Sequence, residues 1–299
     1  MGEIIQLDCV DAYNRLYGLP TLHPLVTVID LTKATKTVNH VKMNYGLYAL
    51  YLKQSANCTL KYGRKNYDYQ EGSVVSFAPG QLVGVDTEED EVRPDVYGLL
   101  FHPDLIYGTS LASKMNRYTF FSYSESEALH LSEQERGIFM DCLEKINIEA
   151  AHPADRHTHD LLAMNIELLL EYCLRFYDRQ FCTRQKVNSD VLDKFEFHLN
   201  TYFQDGNSSK NGLPSVKYFA DKAFLSPGYF GDLIKKETGR TAQEYIQSKV
   251  ISLSKEQLLG TNRSVSEIAN TLGFQYPQHF IRMFKKQTGQ TPNEFRLQS

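Results

Sequence analysis

Two patterns of hydrophobic positions divide this chain of 299 residues. Over about the first 125 residues, short runs rich in β-branched and aromatic residues alternate with turn residues, and they lie at 25–30, 45–53, 72–77 and 97–101. Such runs predict β-strands. From Leu131 onward the apolar residues recur every three or four positions, a spacing that predicts amphipathic helices. The chain is therefore expected to be an α+β protein with more than one domain.

The β-rich part is expected to form a small antiparallel barrel or sandwich. The stretch GSVVSFAPG, residues 72–80, resembles the glycine-to-proline-glycine segment of cupin domains. A cupin metal site needs histidines and a glutamate at close spacing, whereas His23, His40 and His102 are scattered and are interpreted as structural or surface histidines. We therefore expect no metal, no cofactor and no catalytic residue, and predict an organic effector or a protein partner for this domain.

Tyrosine is abundant in the β-rich part, at Tyr45, Tyr48, Tyr51, Tyr62, Tyr67 and Tyr69. Phenol rings suit a sugar-like or polar aromatic ligand through stacking and hydrogen bonds. They equally suit packing within a sheet with the hydroxyl in water, so both interpretations stay open. Alternation along 45–53 places the even-numbered residues on one face. Contacts to an effector are predicted at Tyr48, Phe77 and Gln81.

Two helices are predicted after the β-rich part. A capping box at 132–135 opens the first, and the second runs from about 157 to 181. The second helix is apolar around much of its circumference, so it either is sandwiched against the β domain or pairs with another chain, and pairing is favoured. The polar stretch 184–189 is predicted to be a linker, with Ser189 or Asp190 capping the next helix.

The last hundred residues contain an internal repeat. Residues 285–295 repeat 235–245 at an offset of fifty, and residues 265–274 repeat 216–225 at an offset of forty-nine. Two copies are too few for a solenoid, so the pattern indicates two copies of one supersecondary unit.

Each copy is predicted to form a helix, a tight turn and a second helix, at about 215–239 and 264–289. Serine followed by proline starts the second helix of the first copy, and a glycine ends it. One copy alone would mean little, because any all-helical domain contains such geometry. Two copies with aligned lysine pairs favour DNA-binding helix-turn-helix units. A continuous helix between them, at about 241–260, would span roughly 30 Å, close to the ~34 Å repeat of B-DNA.

The same residues resemble a known family. The motifs are SPxYFxxLIKKETGxTxxEYI, then SVSEIAxxLGF and QHFxRMFKKxTGxTPxEFR. They are similar to the AraC/XylS family of bacterial transcription regulators. The resemblance covers about the last hundred residues and implies a DNA-binding domain at 190–299, with two helix-turn-helix units joined by a helix. It also implies a cupin-like domain for effector binding and dimerisation at 1–183, whose helical part is about 131–183, with 184–189 as the linker.

The two predicted recognition helices carry different chemistry. The expected DNA contacts are Ser226, Gly228, Asp232, Lys235 and Lys236 in the first unit and Gln278, His279, Arg282, Lys285 and Lys286 in the second. Arginine pairs with guanine and glutamine with adenine in the major groove, whereas lysines near the helix end suit phosphates. Glycine reads no base, and aspartate can only accept a hydrogen bond, from cytosine. Relatives in the family usually place longer polar side chains on the first helix. The second unit is therefore predicted to supply most base specificity, and the first to position phosphates.

Charge and cysteine content add two constraints. The formal net charge is −4, but from Asn188 onward 14 Lys and Arg stand against 11 Asp and Glu, a balance of +3, whereas the preceding residues carry 18 and 25, a balance of −7. The C-terminal part is thus weakly basic. Five cysteines without a Cys-x-x-Cys motif indicate a reducing compartment. No apolar run or signal pattern predicts a membrane or secretion, so a cytoplasmic location is expected.

The leading hypothesis is an effector-responsive, sequence-specific transcription regulator that is not an enzyme. One alternative is a constitutive DNA-binding regulator whose N-terminal domain serves only assembly. The other is a cupin-type enzyme, which lacks the metal ligands and any Ser/His/Asp or Cys/His motif. The expected partners are double-stranded promoter or operator DNA, a small organic effector and a second copy of the chain as a homodimer. RNA polymerase is a further candidate partner, and no membrane is expected.

Overall fold

A computed structural model gives the architecture of the protein. It describes residues 4–38, 41–53, 60–61, 72–85, 95–124, 127–183 and 185–297. The chain divides into two compact units, Met1–Thr183 and Arg184–Ser299. The first combines strands and helices, and the described part of the second is helical throughout. The predicted α+β architecture with a C-terminal helical domain is confirmed.

The described strands of the N-terminal unit form two sheets. The first has the order β1 (Ile4–Leu7), β3 (Val41–Tyr45), β7 (Leu82–Val85) and β5 (Leu60–Lys61). The second has the order β2 (Val26–Asp30), β8 (Val96–Phe101), β4 (Tyr48–Lys53), β6 (Ser73–Phe77) and β9 (Leu129–His130). Strand β1 pairs parallel to β3, and the other pairs are antiparallel. The antiparallel expectation therefore holds for every described pair except β1–β3, while closure into a cupin-like barrel stays a prediction.

Aromatic side chains fill the core between the two sheets. The hydroxyls of Tyr45 and Tyr51 lie 2.9 Å apart in a hydrogen bond, and burial raises the pKa of Tyr45 to about 12. The ring of Phe77 stacks on Tyr45 with centroids 5.9 Å apart, and Tyr13 lies 4.8 Å from Tyr17. The described tyrosines of the core are thus packing residues. Tyr62, Tyr67 and Tyr69 lie outside the described residues.

The predicted strand at 45–53 is two strands in different sheets. Strand β3 ends at Tyr45 and β4 begins at Tyr48. A Cβ on Gly46 would lie 3.0 Å from the Cα of Asp8, so glycine lets the chain pass close to its neighbour there. Leu47 is fully buried, so the bend lacks the polar residues that mark most turns. Leu50 and its neighbours on both faces of β4 are buried, so the alternation along this strand does not separate a core face from an exposed one.

The described part of this unit also contains the α-helices α1 (Val10–Tyr17), α2 (Ser110–Lys114), α3 (Glu133–Ala151) and α4 (Thr158–Thr183). The predicted capping box of Ser132 and Glu135 opens α3, and α3 packs against α4 and β2. The Gln180 side chain of α4 accepts a hydrogen bond from the backbone N–H of His130 at 2.8 Å and donates one to the carbonyl of Ala128 at 3.0 Å. The C-terminal end of α4 is therefore fastened to the edge strand β9.

The C-terminal unit contains eight helices within its described residues. They are α5 (Gln185–Gln204), α6 (Asn207–Asn211), α7 (Val216–Ala223), α8 (Pro227–Thr238), α9 (Ala242–Gly260), α10 (Val265–Thr271), α11 (Pro277–Thr288) and α12 (Pro292–Leu297). None of the described helices is long and apolar enough to cross a membrane. Helix α5 begins at Gln185, ahead of the cap expected at Ser189 or Asp190, so residues 185–189 are helical. Asn188 is buried and donates a hydrogen bond to Glu237 at 3.3 Å, a tertiary contact that holds this first turn in place.

Helix α9 separates two small cores. On one side, the ring of Phe195 lies 5.0 Å from Phe219 and 5.3 Å from Phe230. On the other side, Phe280 and Phe284 are fully buried in a cluster that includes residues of α9. The apolar stripes predicted for the two repeats are therefore the residues that form these cores.

Gly273 occupies the tightest position in the second repeat. It follows α10 with φ +95°, and a Cβ there would lie 2.7 Å from the carbonyl carbon of Gly212 and 2.8 Å from the backbone nitrogen of Leu213. Both neighbours are backbone atoms, so neither can rotate away. Only glycine combines this φ with this approach.

We predict that Gly273→Ala destabilises the protein more than Gly239→Ala. Gly239 also has a positive φ of +71°, but a Cβ there meets no atom within 4 Å. Alanine at Gly239 should lower the free energy of unfolding by about 1 kcal/mol through backbone strain alone. At Gly273 the backbone overlap adds to that strain, so the loss should be at least ~2 kcal/mol. Urea unfolding of the full chain measures both, and equal losses would show that the Gly212–Gly273 approach is not a constraint.

Candidate nucleic-acid interface

The two repeats form the helix-turn-helix units that the sequence predicted. In the first, α7 is followed by α8, whose N-cap Ser226 accepts a hydrogen bond from the backbone N–H of Tyr229 at 3.2 Å. In the second, α10 is followed by α11. Helices α8 and α11 both end at a left-handed glycine, Gly239 or Gly289. Each unit therefore presents a second helix of 12 residues with defined ends.

Capping boxes fix the helices that follow each unit and the helix that opens the second. Thr241 and Glu244 cap α9, Ser264 and Glu267 cap α10, and Thr291 with Glu294 makes the same pair of hydrogen bonds before α12. In each case the hydrogen bond from the N-cap backbone N–H, followed by the one involving its hydroxyl, lowers the pKa of the glutamate. These carboxylates stay ionised at neutral pH, and they hold the helix ends by charge-assisted hydrogen bonds.

Helix α9 sets the distance between the units. Its 19 residues span about 28 Å, and it begins and ends at the predicted positions. The hydroxyl of Tyr245 donates a hydrogen bond to Glu196 of α5, and burial, then this bond, raises the pKa of Tyr245 to about 12. A hydrogen bond from a hydroxyl that stays protonated at neutral pH therefore connects α9 to α5.

The exposed face of α11 carries the residues predicted to read DNA. Gln278, His279, Arg282, Lys285 and Lys286 are all exposed, while Phe280 and Phe284 fill the core behind them. Within the described residues, Gln278 and Arg282 make no side-chain hydrogen bond or ion pair. Their donors and acceptors are therefore available to base edges. Lys285 lies close enough to Glu294 to lower the pKa of that carboxyl.

The matching face of α8 carries two glycines and few polar side chains. Gly228 and Asp232 are half-buried, Lys235 and Lys236 are exposed, and a Cβ on Gly231 would meet no atom within 4 Å. Ser226 uses its hydroxyl to cap the helix. The first unit thus presents two exposed lysines and few other polar groups on this face, and their contacts to phosphates or bases stay a prediction. The second glycine of this face, Gly231, was missed, although its three-residue spacing from Gly228 shows it in the sequence.

The residues predicted to contact an effector fall into two places in the N-terminal unit. Tyr48 and Gln81 line a cleft of about 470 Å³ between the β6–β7 turn and residues 115–122. The Gln81 amide oxygen accepts from the backbone N–H of Ala78 at 2.9 Å, and its nitrogen donates to the carbonyl of Phe121 at 3.2 Å, so Gln81 holds the two walls together. Phe77 is 3% exposed and belongs to the core between the sheets, so it is a packing residue behind the cleft.

The histidines at His23 and His102 have local roles. The Nδ1 of His23 accepts from the backbone N–H of Leu25 at 3.2 Å, and the Nδ1 of His102 accepts from that of Asp104 at 3.1 Å. His40 lies outside the described residues. The described part of the chain contains no group of three or more His, Cys, Asp or Glu side chains placed to hold a metal ion.

Comparison with known proteins gives matches to DNA-binding regulators. A helix-turn-helix domain family matches residues 219–298. The bifunctional transcriptional activator/DNA repair enzyme AdaA of Bacillus subtilis is 34% identical over 119 residues, 40% of this chain and 56% of AdaA. The uncharacterized transcriptional regulatory protein YesN of the same organism is 41% identical over 85 residues, 27% of this chain and 23% of YesN. The chain therefore spans about half the length of the first relative and about a quarter of the second.

Among solved structures, the C-terminal domain of the two-component response regulator yesN from Fusobacterium nucleatum is 29% identical. The match covers 34% of this chain and 96% of that chain, with a TM-score of 0.30. The family match coincides with α7 to α12, where the repeated units lie. The C-terminal unit therefore contains a helix-turn-helix domain that is similar to those of AraC-type transcription regulators.

Proposed function

We propose that this protein is a sequence-specific transcription regulator that binds double-stranded promoter or operator DNA, and that it is not an enzyme. The observation that supports this most directly is that Gln278 and Arg282 of α11 are exposed and unpaired among the described residues, whereas the matching positions of α8 are Gly228 and Asp232. Gln278 and Arg282 have the donor and acceptor geometry for adenine and guanine, and Lys285 and Lys286 suit phosphates. AdaA is described as both a transcriptional activator and a DNA repair enzyme, and our proposal for this chain includes DNA binding but not repair. The cytoplasm is the expected location, and contact with RNA polymerase stays a prediction.

We predict that Arg282→Ala removes base specificity while Asp232→Ala does not. Losing one bidentate base contact costs about 1–3 kcal/mol, which is roughly 5- to 150-fold in affinity for the preferred site, with little change for random DNA. The protein would first select fragments from its source genome, and footprinting in a salt series would define the bound site. A site of about two helical turns with a steep salt slope is expected.

Lys286→Ala is the matched control for this prediction. Because a lysine at a phosphate carries no sequence information, it should weaken specific and random binding alike and reduce the salt slope by about 0.9. Equal loss of specificity from Arg282→Ala and Asp232→Ala would contradict the division of labour between the units. Binding of every fragment no tighter than random DNA would contradict the proposed function.

We also propose that the protein forms a homodimer through α4. Leu161, Met164 and Leu168 follow one helical face and are 43%, 63% and 40% exposed, while the opposite face is buried against the unit's own core. Contiguous exposed apolar residues on one helix are a common self-association surface. One face of α4 thus packs within its own unit, and the opposite face is exposed. Each of the two interpretations of this apolar helix therefore applies to a different face.

We expect Met164→Glu/Leu168→Glu to convert a dimer into a monomer, because two carboxylates would have to be buried without partners. Sedimentation equilibrium of the full chain measures this. Leu22→Glu is the matched control, since Leu22 is also a large exposed apolar residue, at 55%, but lies outside the helices. A variant that stays dimeric, or a wild type that is monomeric at every concentration, would exclude this face as the interface.

For the effector, we propose the cleft lined by Tyr48 and Gln81. Tyr48 and Asn116 line it without a hydrogen bond to another described residue, and none of its lining residues carries a charge. A charged ligand would lose its hydration there without gaining an ionic partner. A small uncharged ring compound with hydroxyl groups fits this lining.

Saturation-transfer NMR with phenol, glucose and their charged counterparts benzoate and glucuronate tests the cleft. We expect at least one neutral probe to bind, the charged probes to give no signal, and Asn116→Leu to abolish binding without lowering the melting temperature. Charged probes binding as well as neutral ones would contradict the assignment. If no neutral probe binds and operator affinity is indifferent to all of them, the constitutive alternative is favoured.

A further inference from the structure

At the start of α11, the second copy of the repeat has a tyrosine where the first copy has a capping serine. At an offset of fifty, Tyr276-Pro277 aligns with Ser226-Pro227. Ser226 caps α8, whereas Tyr276 occupies the N-cap of α11 and makes no side-chain hydrogen bond to it. The backbone N–H of His279 donates instead to the carbonyl of Tyr276 at 3.0 Å. The second unit therefore lacks a stabilising cap that the first unit has.

Most helices of this unit begin with a side-chain cap, and α6, which also lacks one, begins after Gly206 with its φ of +68°. The helices α7, α8, α9 and α10 begin with a side-chain cap, and Thr291 supplies the equivalent hydrogen bond before α12. A position that breaks a local rule obeyed elsewhere in the same domain is where a functional requirement is expected.

Packing does not account for Tyr276. Its side chain is 58% exposed, and among the described aromatic rings it pairs with that of His279, edge-on, at a centroid distance of 5.6 Å. Within the described residues its hydroxyl has no hydrogen-bond partner. The tyrosine thus projects into solvent one turn ahead of the exposed residues of α11.

Tyr276 also lines a cleft of about 700 Å³, and Lys210 is among the other residues that line it. The other wall is formed by residues 208–213, including Lys210, and no Asp or Glu lines the cleft. Lys210 makes no ion pair with a described residue. The hydroxyl of Ser208 donates to the carbonyl of Thr271 at 2.8 Å, and Gly212 lies against Gly273, so this wall is fixed to the second unit.

We propose that Tyr276 is a DNA-contacting residue that occupies the place of a helix cap, and that Lys210 binds the same stretch of sugar-phosphate backbone from across the cleft. The phenol hydroxyl would donate to a phosphate oxygen, and the ammonium would neutralise a phosphate. Both contacts add affinity without reading a base. This inference rests on the proposed DNA binding and extends its surface from α11 to α6.

The decisive variant is Tyr276→Ser, because stability and binding should change in opposite directions. Serine restores the cap, so the melting temperature of the full chain should rise. Loss of the charge-assisted hydrogen bond should weaken binding about tenfold, both to the selected genomic fragment and to a random duplex of equal length. Tyr276→Phe should leave the melting temperature unchanged and weaken binding to a similar degree. Lys210→Ala should lower the salt slope by about 0.9.

Tyr107→Ser is the matched control, since Tyr107 is an exposed tyrosine, at 65%, in the other unit, and it should change neither quantity. Wild-type affinity in Tyr276→Ser would show that Tyr276 does not touch DNA, and a fall in melting temperature would assign it a packing role. An unchanged salt slope in Lys210→Ala would remove Lys210 from the interface. A wild type that binds no fragment better than random DNA would overturn the proposed function, whereas tight wild-type binding with unaffected variants would overturn this inference alone.

Discussion

The shared helix α9 is the constraint on which the DNA-binding domain depends. Each helix-turn-helix unit is too small to bury a core of its own, and each uses α9 as one wall. Ile246 is buried near the start of the helix, and Val250 and Leu258 belong to the cluster that holds Phe280. Because an α-helix of 19 residues is stiff, burial at both ends holds the two units at opposite ends of a helix about 28 Å long. Stability and recognition geometry therefore come from the same side chains.

That shared scaffold leaves the surface of each unit free to diverge. The buried positions of the two repeats are equivalent, with Phe230 in α8 matching Phe280 in α11, and both helices end at a left-handed glycine. The exposed positions are not equivalent, since Gly228 and Asp232 stand where α11 has Gln278 and Arg282. Packing accepts few side chains in a core of this density, whereas an exposed helix face accepts many. The duplication thus preserves a fold while the exposed faces differ, and this difference is the basis of the proposed division between base reading and phosphate positioning.

The sequence predicted the C-terminal unit closely because its signals are local. Caps, left-handed glycines and a three-to-four-residue apolar spacing act within a few residues. Because the unit is repeated, most of these signals occur twice in the sequence. The failures came from tertiary contacts. Helix α5 starts early because Asn188 reaches Glu237, far along the chain. The strand at 45–53 is interrupted because Gly46 lets the chain pass beside Asp8, while the bend itself is apolar and buried at Leu47. Phe77 was predicted to contact an effector, but it belongs to the core that the two sheets form together, and that packing cannot be read from the sequence.

In the N-terminal unit, side-chain contacts connect one wall of the cleft to α4, the helix whose exposed face is proposed for self-association. Tyr118 lines the cleft and donates a hydrogen bond to Glu171 at 3.0 Å, and Arg117 pairs with the same carboxylate at 3.2 Å. One turn earlier, Glu167 binds Lys114 and the hydroxyl of Ser110. Desolvation, then the bond to Glu171, raises the pKa of Tyr118, so this hydroxyl remains a donor at neutral pH. A ligand that displaces Tyr118 must therefore either break these contacts or move α4 with them. Leu168 lies between the two glutamates in sequence, and a change at the cleft is therefore one helical turn away from the surface proposed for self-association.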